Sequence, residues 1–381
     1  GRLPAFRSFF SGFFFATFLS PPVFVACSLL LLLLYHKGAV FENAFCSPAR
    51  RFEPKSNFFI GWTIPHIDPV KPYGGGFVNL FNPGVVFGVV GGDFRQAALA
   101  KGLLEGGYPV RVFCIERPPQ FLPSQLCCEN LDGLSGCDAV VLPLPVSNDD
   151  RLLNAPLSEA CVPLCDLFSR CRSDALLFGG KVSPAQQRLA QQFGHTIHDY
   201  LKREEMAVLN AVPTAEGAVN LAMNERASTL WESRCLVTGF GRCAKALALL
   251  LKGFGARVTV AARKQGDLAF ARTLGLQTVS LRQLQEVLPQ QEIVFNTIPA
   301  PVLTRPLLEQ LQPECLIIDL ASRPGGVDFE AAGELGLKTI WALSLPGKVA
   351  PITAGGIIRD TVLHMMADLA GSCPPSPILS K

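Results

Sequence analysis

Residues Cys235 to Lys264 read CLVTGFGRCAKALALLLKGFGARVTVAARK. An apolar strand, a tight glycine turn, a helix and a second apolar strand follow one another in that order. The turn Gly239-Phe240-Gly241-Arg242-Cys243-Ala244 is a G-x-G-x-x-A form of the dinucleotide-binding fingerprint. Gly239 permits the sharp bend. Gly241 has no side chain, so a pyrophosphate can approach the backbone. Ala244 is small enough for the helix to pack close to the strand. The unpaired N–H groups and positive dipole end of that helix then face the phosphates.

The second strand, Arg257 to Ala262, runs into Arg263 and Lys264, and no carboxylate follows until Asp267. An NAD-preferring site places Asp or Glu here for the ribose 2′-hydroxyl. Two cations suit a 2′-phosphate, which points to NADP. Working outward, later strands are expected at Glu292–Asn296, Cys315–Leu320 and Lys338–Ala342. Helices are expected between them at Asp267–Leu274, Leu281–Leu288, Pro306–Leu311 and Phe329–Leu335. This alternation predicts a parallel sheet covered on both faces. Ligands of such sheets lie at the carboxyl ends of the strands. With Gly239, Phe240, Gly241, Arg242, Ala244, Arg263 and Lys264, the strand end Thr297-Ile298-Pro299 therefore completes the candidate cofactor contacts.

The preceding part repeats the plan. A buried-strand run, Val85–Val90, leads into Gly91-Gly92-Asp93-Phe94-Arg95, a helix Gln96–Glu105 and a strand Val110–Ile115. Strands at Ala139–Leu142 and Ala175–Phe178, a helix Pro184–Phe193 and a short strand Ala207–Leu209 follow. Thr214 reads as the N-cap of a connecting helix, Ala215–Thr229, with Glu216 in its first turn. The first glycine turn lacks the third small residue. The fold class is thus α/β: two Rossmann-like doubly wound parallel-sheet domains with a cleft between them. The expected divisions are an atypical extension at 1–84, a substrate or partner domain at 85–212, a connecting helix at 213–232 and the NADP-binding domain at 233–350. A last helix at 351–371 packs back, and the Pro-rich tail 372–381 is expected to be disordered.

Composition narrows the function classes. The net charge of +3 over 381 residues, with no basic run interleaved with aromatics, gives no footprint for nucleic acid. The 13 cysteines are odd in number, and no C-x-x-C occurs. They read as reduced thiols in a cytosolic protein, and no metal site is expected. His195, His198 and His364 read as structural, with His195 and His198 on the surface. Ser8 to Tyr35 is nearly all apolar but broken by Pro21-Pro22, and the run after the prolines is too short to span a bilayer. A signal-peptide core, a kinked membrane anchor and a non-native extension are the three readings of that stretch.

The segments GGDFRQ (91–96), NAVPTAEGA (210–218), VTGFGRCA (237–244), VTVAARK (258–264), FNTIPAPVL (295–303), IIDLASRPGGVDF (317–329) and SLPGKVAPITAG (344–355) carry a resemblance. In order and spacing they resemble the A-subunit family of bacterial dipicolinate synthase, over roughly residues 85–370. LASRPGGVDF and LPGKVAP are the most specific parts, and the extension 1–84 has no counterpart in the family. The family's nucleotide turn usually ends in Gly where this chain has Ala244. The resemblance implies an enzyme of the mother cell of endospore-forming bacteria, on a branch of the lysine pathway. It would act with the flavoprotein-like B-subunit of dipicolinate synthase, converting a dihydro- or hydroxytetrahydrodipicolinate to pyridine-2,6-dicarboxylate with NADP. For such a diacid, Arg95, Arg323 and Lys348 are the candidate carboxylate partners. Ser147, Thr214 and Glu216 are the candidate polar or proton-transfer groups. A homo-oligomer is compatible with this. Two other readings stay open: a non-catalytic nucleotide-binding partner of a flavoprotein, and a related two-domain NADP dehydrogenase of another small substrate.

Overall fold

The computed structural model describes residues 84–123, 126–128 and 130–371. The readings of the apolar N-terminal stretch and of the 372–381 tail lie outside the described residues. Among the described residues there are two six-stranded sheets, and every strand pairing in them is parallel. The first holds β1 (Phe87–Val90), β2 (Val110–Phe113), β3 (Cys127–Cys128), β4 (Ala139–Val141), β5 (Leu176–Gly179) and β6 (Ile197–Asp199). Its order is β3-β2-β1-β4-β5-β6. The second holds β7 (Arg234–Thr238), β8 (Arg257–Ala262), β9 (Gln277–Ser280), β10 (Ile293–Asn296), β11 (Leu316–Asp319) and β12 (Lys338–Trp341). Its order, β12-β11-β10-β7-β8-β9, is the same topology met a second time. In each sheet the chain reverses direction beside its first strand, at β1/β4 and at β7/β10. That reversal opens a crevice beyond the strand ends.

The apolar runs become central strands because helices cover both sheet faces. FGVV of β1, IVFN of β10 and LIID of β11 are buried at every position. The final helix, Pro351–Leu369, packs along the helix Phe94–Glu105 of the first sheet. Ile357, Ile358, Val362, Leu363, Met365 and Met366 share a core with Phe87, Val89 and Leu99. Small residues permit the approach: a Cβ on Gly355 would collide with the carbonyl of Arg95 and lie 2.7 Å from Ala98 Cβ. Among the described residues no helix is long and apolar enough to cross a membrane.

Three expectations are corrected. Ala207–Leu209 is not a strand but the end of a helix, Glu204–Leu209. A short apolar run does not distinguish the two, and here Glu204 and Glu205 stabilise a helical first turn while only Met206 is buried. Thr214 is not an N-cap: the next helix starts at Ala211 and ends at Asn224, and Thr214 Oγ1 donates back to the Asn210 carbonyl at 2.7 Å. His195 is not on the surface; it is buried. The sequence reading also passes over β6 and β9. Both are short outermost strands with half-exposed residues, which carry little apolar signal.

The thiols divide by burial. Burial pushes Cys171, Cys235 and Cys315 up to about 12 and Cys114 up to about 11. Cys161 is exposed. Thiolate is the reacting species, so a thiol reagent at pH 8 is expected to label Cys161 in the native chain and leave those four untouched. Peptide mapping by mass spectrometry after brief labelling reads this out. Labelling of Cys235 or Cys315 at the rate of Cys161 would contradict the packing.

Candidate nucleotide and substrate site

The turn after β7 is built as a phosphate cradle. Gly239 has φ +92, and a Cβ there would lie 2.5 Å from Thr297 Oγ1 and 3.1 Å from Ile298 Cγ1. Thr297 follows β10, so the first glycine lets the two strand ends close together at the crevice. Thr297 Oγ1 fixes the arrangement by donating to the Thr238 carbonyl at 2.7 Å. Gly241 differs: a Cβ on it would meet nothing within 4 Å. It stands at the N-cap of the helix Arg242–Gly253 without offering a capping side chain. The first-turn N–H groups are therefore left for a ligand. Ala244 is fully buried, as close helix–strand contact requires. Phe240 is buried beneath Lys245, whose ammonium lies 5.5 Å from the Phe240 ring and 5.1 Å from that of Phe270.

Arg263 and Lys264 stand exposed beyond the end of β8, with Lys264 at the N-cap of the helix Gln265–Thr273. Among the described residues neither is ion-paired with a carboxylate. Ile298 is half-buried and its N–H donates to Asn296 Oδ1 at 3.2 Å, while Pro299 is exposed. Arg242 is exposed and pairs with Glu204, Nε to Oε1, at 3.1 Å.

The equivalent turn after β1 is closed. Gly91 and Gly92 have φ +58 and +83. The Gln96 side chain fills the space over Gly92 and donates to the Val141 carbonyl at 2.9 Å. Asp93 caps the helix Phe94–Glu105 by accepting from Arg95 N at 3.0 Å. A carboxylate thus occupies the place an incoming phosphate would need. Of the two glycine turns, only the second is open to an anion.

Behind the open turn the strand ends are pinned by a buried polar network. Thr238 Oγ1 donates to Asn296 Oδ1 at 2.6 Å, and Asn296 Nδ2 donates to Asp319 Oδ1 at 2.8 Å. The Ala321 and Gly326 N–H groups donate to the Asp319 carboxylate at 2.9 and 2.7 Å. Thr238, Asn296 and Asp319 are fully buried. Among the described residues three donors, and no cation, solvate this carboxylate. Consequently Asp319 is not a partner for Arg323. Arg323 is exposed, and its guanidinium carbon lies 5.8 Å from the ring of Trp341.

The candidate substrate cations fall into different surroundings. Arg95 is buried; its guanidinium grips Asp93 (Nη2–Oδ2 2.8 Å, Nε–Oδ1 2.9 Å) and donates from Nη2 to the Leu144 carbonyl at 2.8 Å. It also packs against the second domain, since a Cβ on Gly347 would lie 2.9 Å from Arg95 Nε. This arginine ties the first strand-end rim to the short helix Leu345–Val349, which carries exposed Lys348. Ser147 is buried, donates to Asp149 Oδ1 at 2.9 Å, and lines a hollow of about 360 Å³ with Pro145, Asn148, Asp150, Lys181 and Ser183. Hydrogen bonds from Leu152 N, Arg151 N and Ser147 hold Asp149 below the usual carboxylate range. Glu216 is exposed. No hydrogen bond among the described residues joins Ser147, Thr214 and Glu216 to one another. The structure therefore brings Arg95 and the Lys348 helix together and adds Lys181 beside Ser147. Lys181, Asp93, Asp319 and Glu204 are the residues that sequence reasoning leaves without a role. Two of them fall in quoted segments, Asp93 in GGDFRQ and Asp319 in IIDLASRPGGVDF.

Known proteins share this arrangement of domains. Residues 86–201 match the N-terminal domain family of the dipicolinate synthase A-subunit. Residues 206–331 match the family described as D-isomer specific 2-hydroxyacid dehydrogenase, NAD binding domain. The chain is 30% identical over 289 residues to the dipicolinate synthase A-subunit of Bacillus subtilis (strain 168), covering 75% of this chain and 97% of that protein. The crystal structure of the dipicolinate synthase A chain from Bacillus subtilis superposes with a TM-score of 0.69 at 29% identity, over 77% of this chain and all of that one. The A-subunit from Bacillus halodurans superposes with a TM-score of 0.67 at 26% identity, over 75% of this chain and 98% of that one.

Proposed function

This chain belongs to the dipicolinate synthase A-subunit family, and from that premise we propose that it oxidises a dihydrodipicolinate, or a hydroxytetrahydrodipicolinate that also loses water, to pyridine-2,6-dicarboxylate, with hydride passing to NADP. It carries an NAD(P)-binding domain of the dehydrogenase type. The observation that carries the proposal is the continuity of the match: 97% of a named A-subunit is covered, through both sheets and the open turn at Gly241. When bound, the nicotinamide would supply the hydride acceptor. The chain's own residues have separable tasks. The Gly239–Ala244 turn and the Thr297 strand end would seat the pyrophosphate, and Arg263 and Lys264 would receive a 2′-phosphate. Lys348 and Arg323 on the nucleotide side, and Lys181 on the other, would hold a rigid diacid. Buried Arg95, paired with half-buried Asp93, positions the rim rather than presenting a free cation.

Supply of NADP and the cyclic diacid to this chain together with the B-subunit of the synthase, in the mother cell of a sporulating bacterium, completes the proposed setting. The test is reconstitution. Growth of pyridine dicarboxylate absorbance is expected with both polypeptides, substrate and NADP, and not when this chain is omitted. Product formation at full rate by the B-subunit alone would end the assignment.

The cofactor choice has its own test. Arg263→Ala is expected to weaken NADPH about tenfold, the loss of one charge-assisted phosphate contact, while leaving NADH unchanged. Fluorescence titration of both nucleotides decides it. Equal losses for NADPH and NADH would remove Arg263 from the 2′-phosphate.

A further inference from the structure

Arg242 is the first residue of the helix that follows the open turn, one position after Gly241. Its backbone therefore stands at the turn where the pyrophosphate would lie, with the guanidinium on a side chain long enough to reach it. Its ion-pair partner, Glu204, comes from outside the nucleotide-binding sheet, in the short helix Glu204–Leu209. That helix is fastened to the other domain. Arg203 at its N-cap bonds Asp368 of the final helix at 2.7 Å, and Met206 is fully buried with its sulfur 3.9 Å from Thr361 Oγ1 of the same helix. The final helix in turn shares the core of the first sheet. The Glu204–Arg242 pair thus runs from the first domain's packing unit straight to the phosphate turn. It is exposed on both sides, the two side chains being 70% and 53% accessible, so it can break without leaving a buried charge.

We propose that Glu204 is a restraint on dinucleotide binding: it neutralises Arg242 in the free protein and is displaced from it by the pyrophosphate. The inference rests on the reading of the Gly239–Ala244 turn as the nucleotide site. Two anions then compete for one guanidinium, one belonging to the joint between the domains and the other to the ligand. Binding the ligand releases the joint from the turn. By linkage, any movement that separates Glu204 from Arg242 raises nucleotide affinity.

The test is fluorescence titration of the full chain with NADPH at low ionic strength. Glu204→Gln is expected to bind about two- to fivefold tighter than the wild type, the range of an exposed ion pair. The gain should shrink as salt is raised. In an Arg242→Gln background Glu204→Gln should give no gain. Thermal unfolding of Glu204→Gln should match the wild type, which separates the effect from altered folding. Equal or weaker NADPH binding by Glu204→Gln, or a gain that persists without Arg242, overturns the proposal while leaving the nucleotide site intact. Failure of the wild type and Glu204→Gln alike to bind NADPH or NADH would bring down the nucleotide reading, and this inference with it.

Discussion

Gly326→Ala is expected to lower the melting temperature on the order of 10 °C. Gly326 lies in the loop after β11, seven residues beyond Asp319, where the chain passes back against the β10 strand end. Its N–H donates to Asp319 Oδ2 at 2.7 Å, and its carbonyl accepts from Val302 and Leu303 at 3.0 and 2.9 Å. A Cβ there would lie 2.5 Å from the Ile298 carbonyl and 2.9 Å from that of Ala300, and would collide with Asn296 Nδ2. Two of these neighbours are backbone, and the third is a short side chain already bonded on both sides. Overpacking of this kind costs about 1–3 kcal/mol. Moving the residue also strips a donor from a fully buried carboxylate, which costs at least as much again. Gly333→Ala is the control, because a Cβ there meets nothing within 4 Å and the site is helical. It should be neutral or mildly stabilising. Paired thermal melts followed by circular dichroism check both. An unchanged melt for Gly326→Ala would mean that the rim is not held by the Asp319 network.

That network shows where sequence reading stops. Gly239, Gly241 and Ala244 are legible because their function is local: a turn of six residues states its own geometry. Strands β7, β8, β10 and β11 are legible because burial on both faces forces continuous apolar runs. Asn296 and Asp319 stand 23 residues apart, and nothing in either segment announces that one solvates the other. Arg95 is similar. Its motif is visible, but its burial follows from Leu144 and Gly347, which the fold brings in from distant segments. The expected strand at Ala207–Leu209 fails for another reason. A three-residue apolar run has no period, and the two glutamates ahead of it are the better cue. Thr214 reads as a cap because Thr suits that position, whereas Asn210 and Ala211 already begin the turn. The two glycine turns mark the boundary most clearly. Both bend the chain, but Gln96 and Asp93 close the first, whereas the space in front of Gly241 in the second is left clear.

The contrast between the two turns sets the largest expected change in binding. Gly241→Asp should abolish dinucleotide binding, weakening it at least about 100-fold, while leaving the fold as stable as before or slightly more so. Gly241 has φ −77 and ψ −167, an extended conformation suited to a helix N-cap, and open space in front of it. Asp93, at φ −95 and ψ −164, holds the corresponding place in the first domain and caps its helix. An aspartate at 241 would do the same, adding up to about 1 kcal/mol by satisfying a free N–H. It would also set a fixed negative charge against the pyrophosphate, a juxtaposition that costs several kcal/mol. Gly239→Ala makes the opposite prediction. At φ +92, with Thr297 Oγ1 at 2.5 Å from a new Cβ, it damages the fold before it touches the ligand. Thermal melts and NADPH titrations of the two variants therefore separate the residue that shapes the turn from the residue that keeps it vacant. Retention of wild-type NADPH affinity by a fully folded Gly241→Asp protein would place the nucleotide somewhere other than the β7 turn.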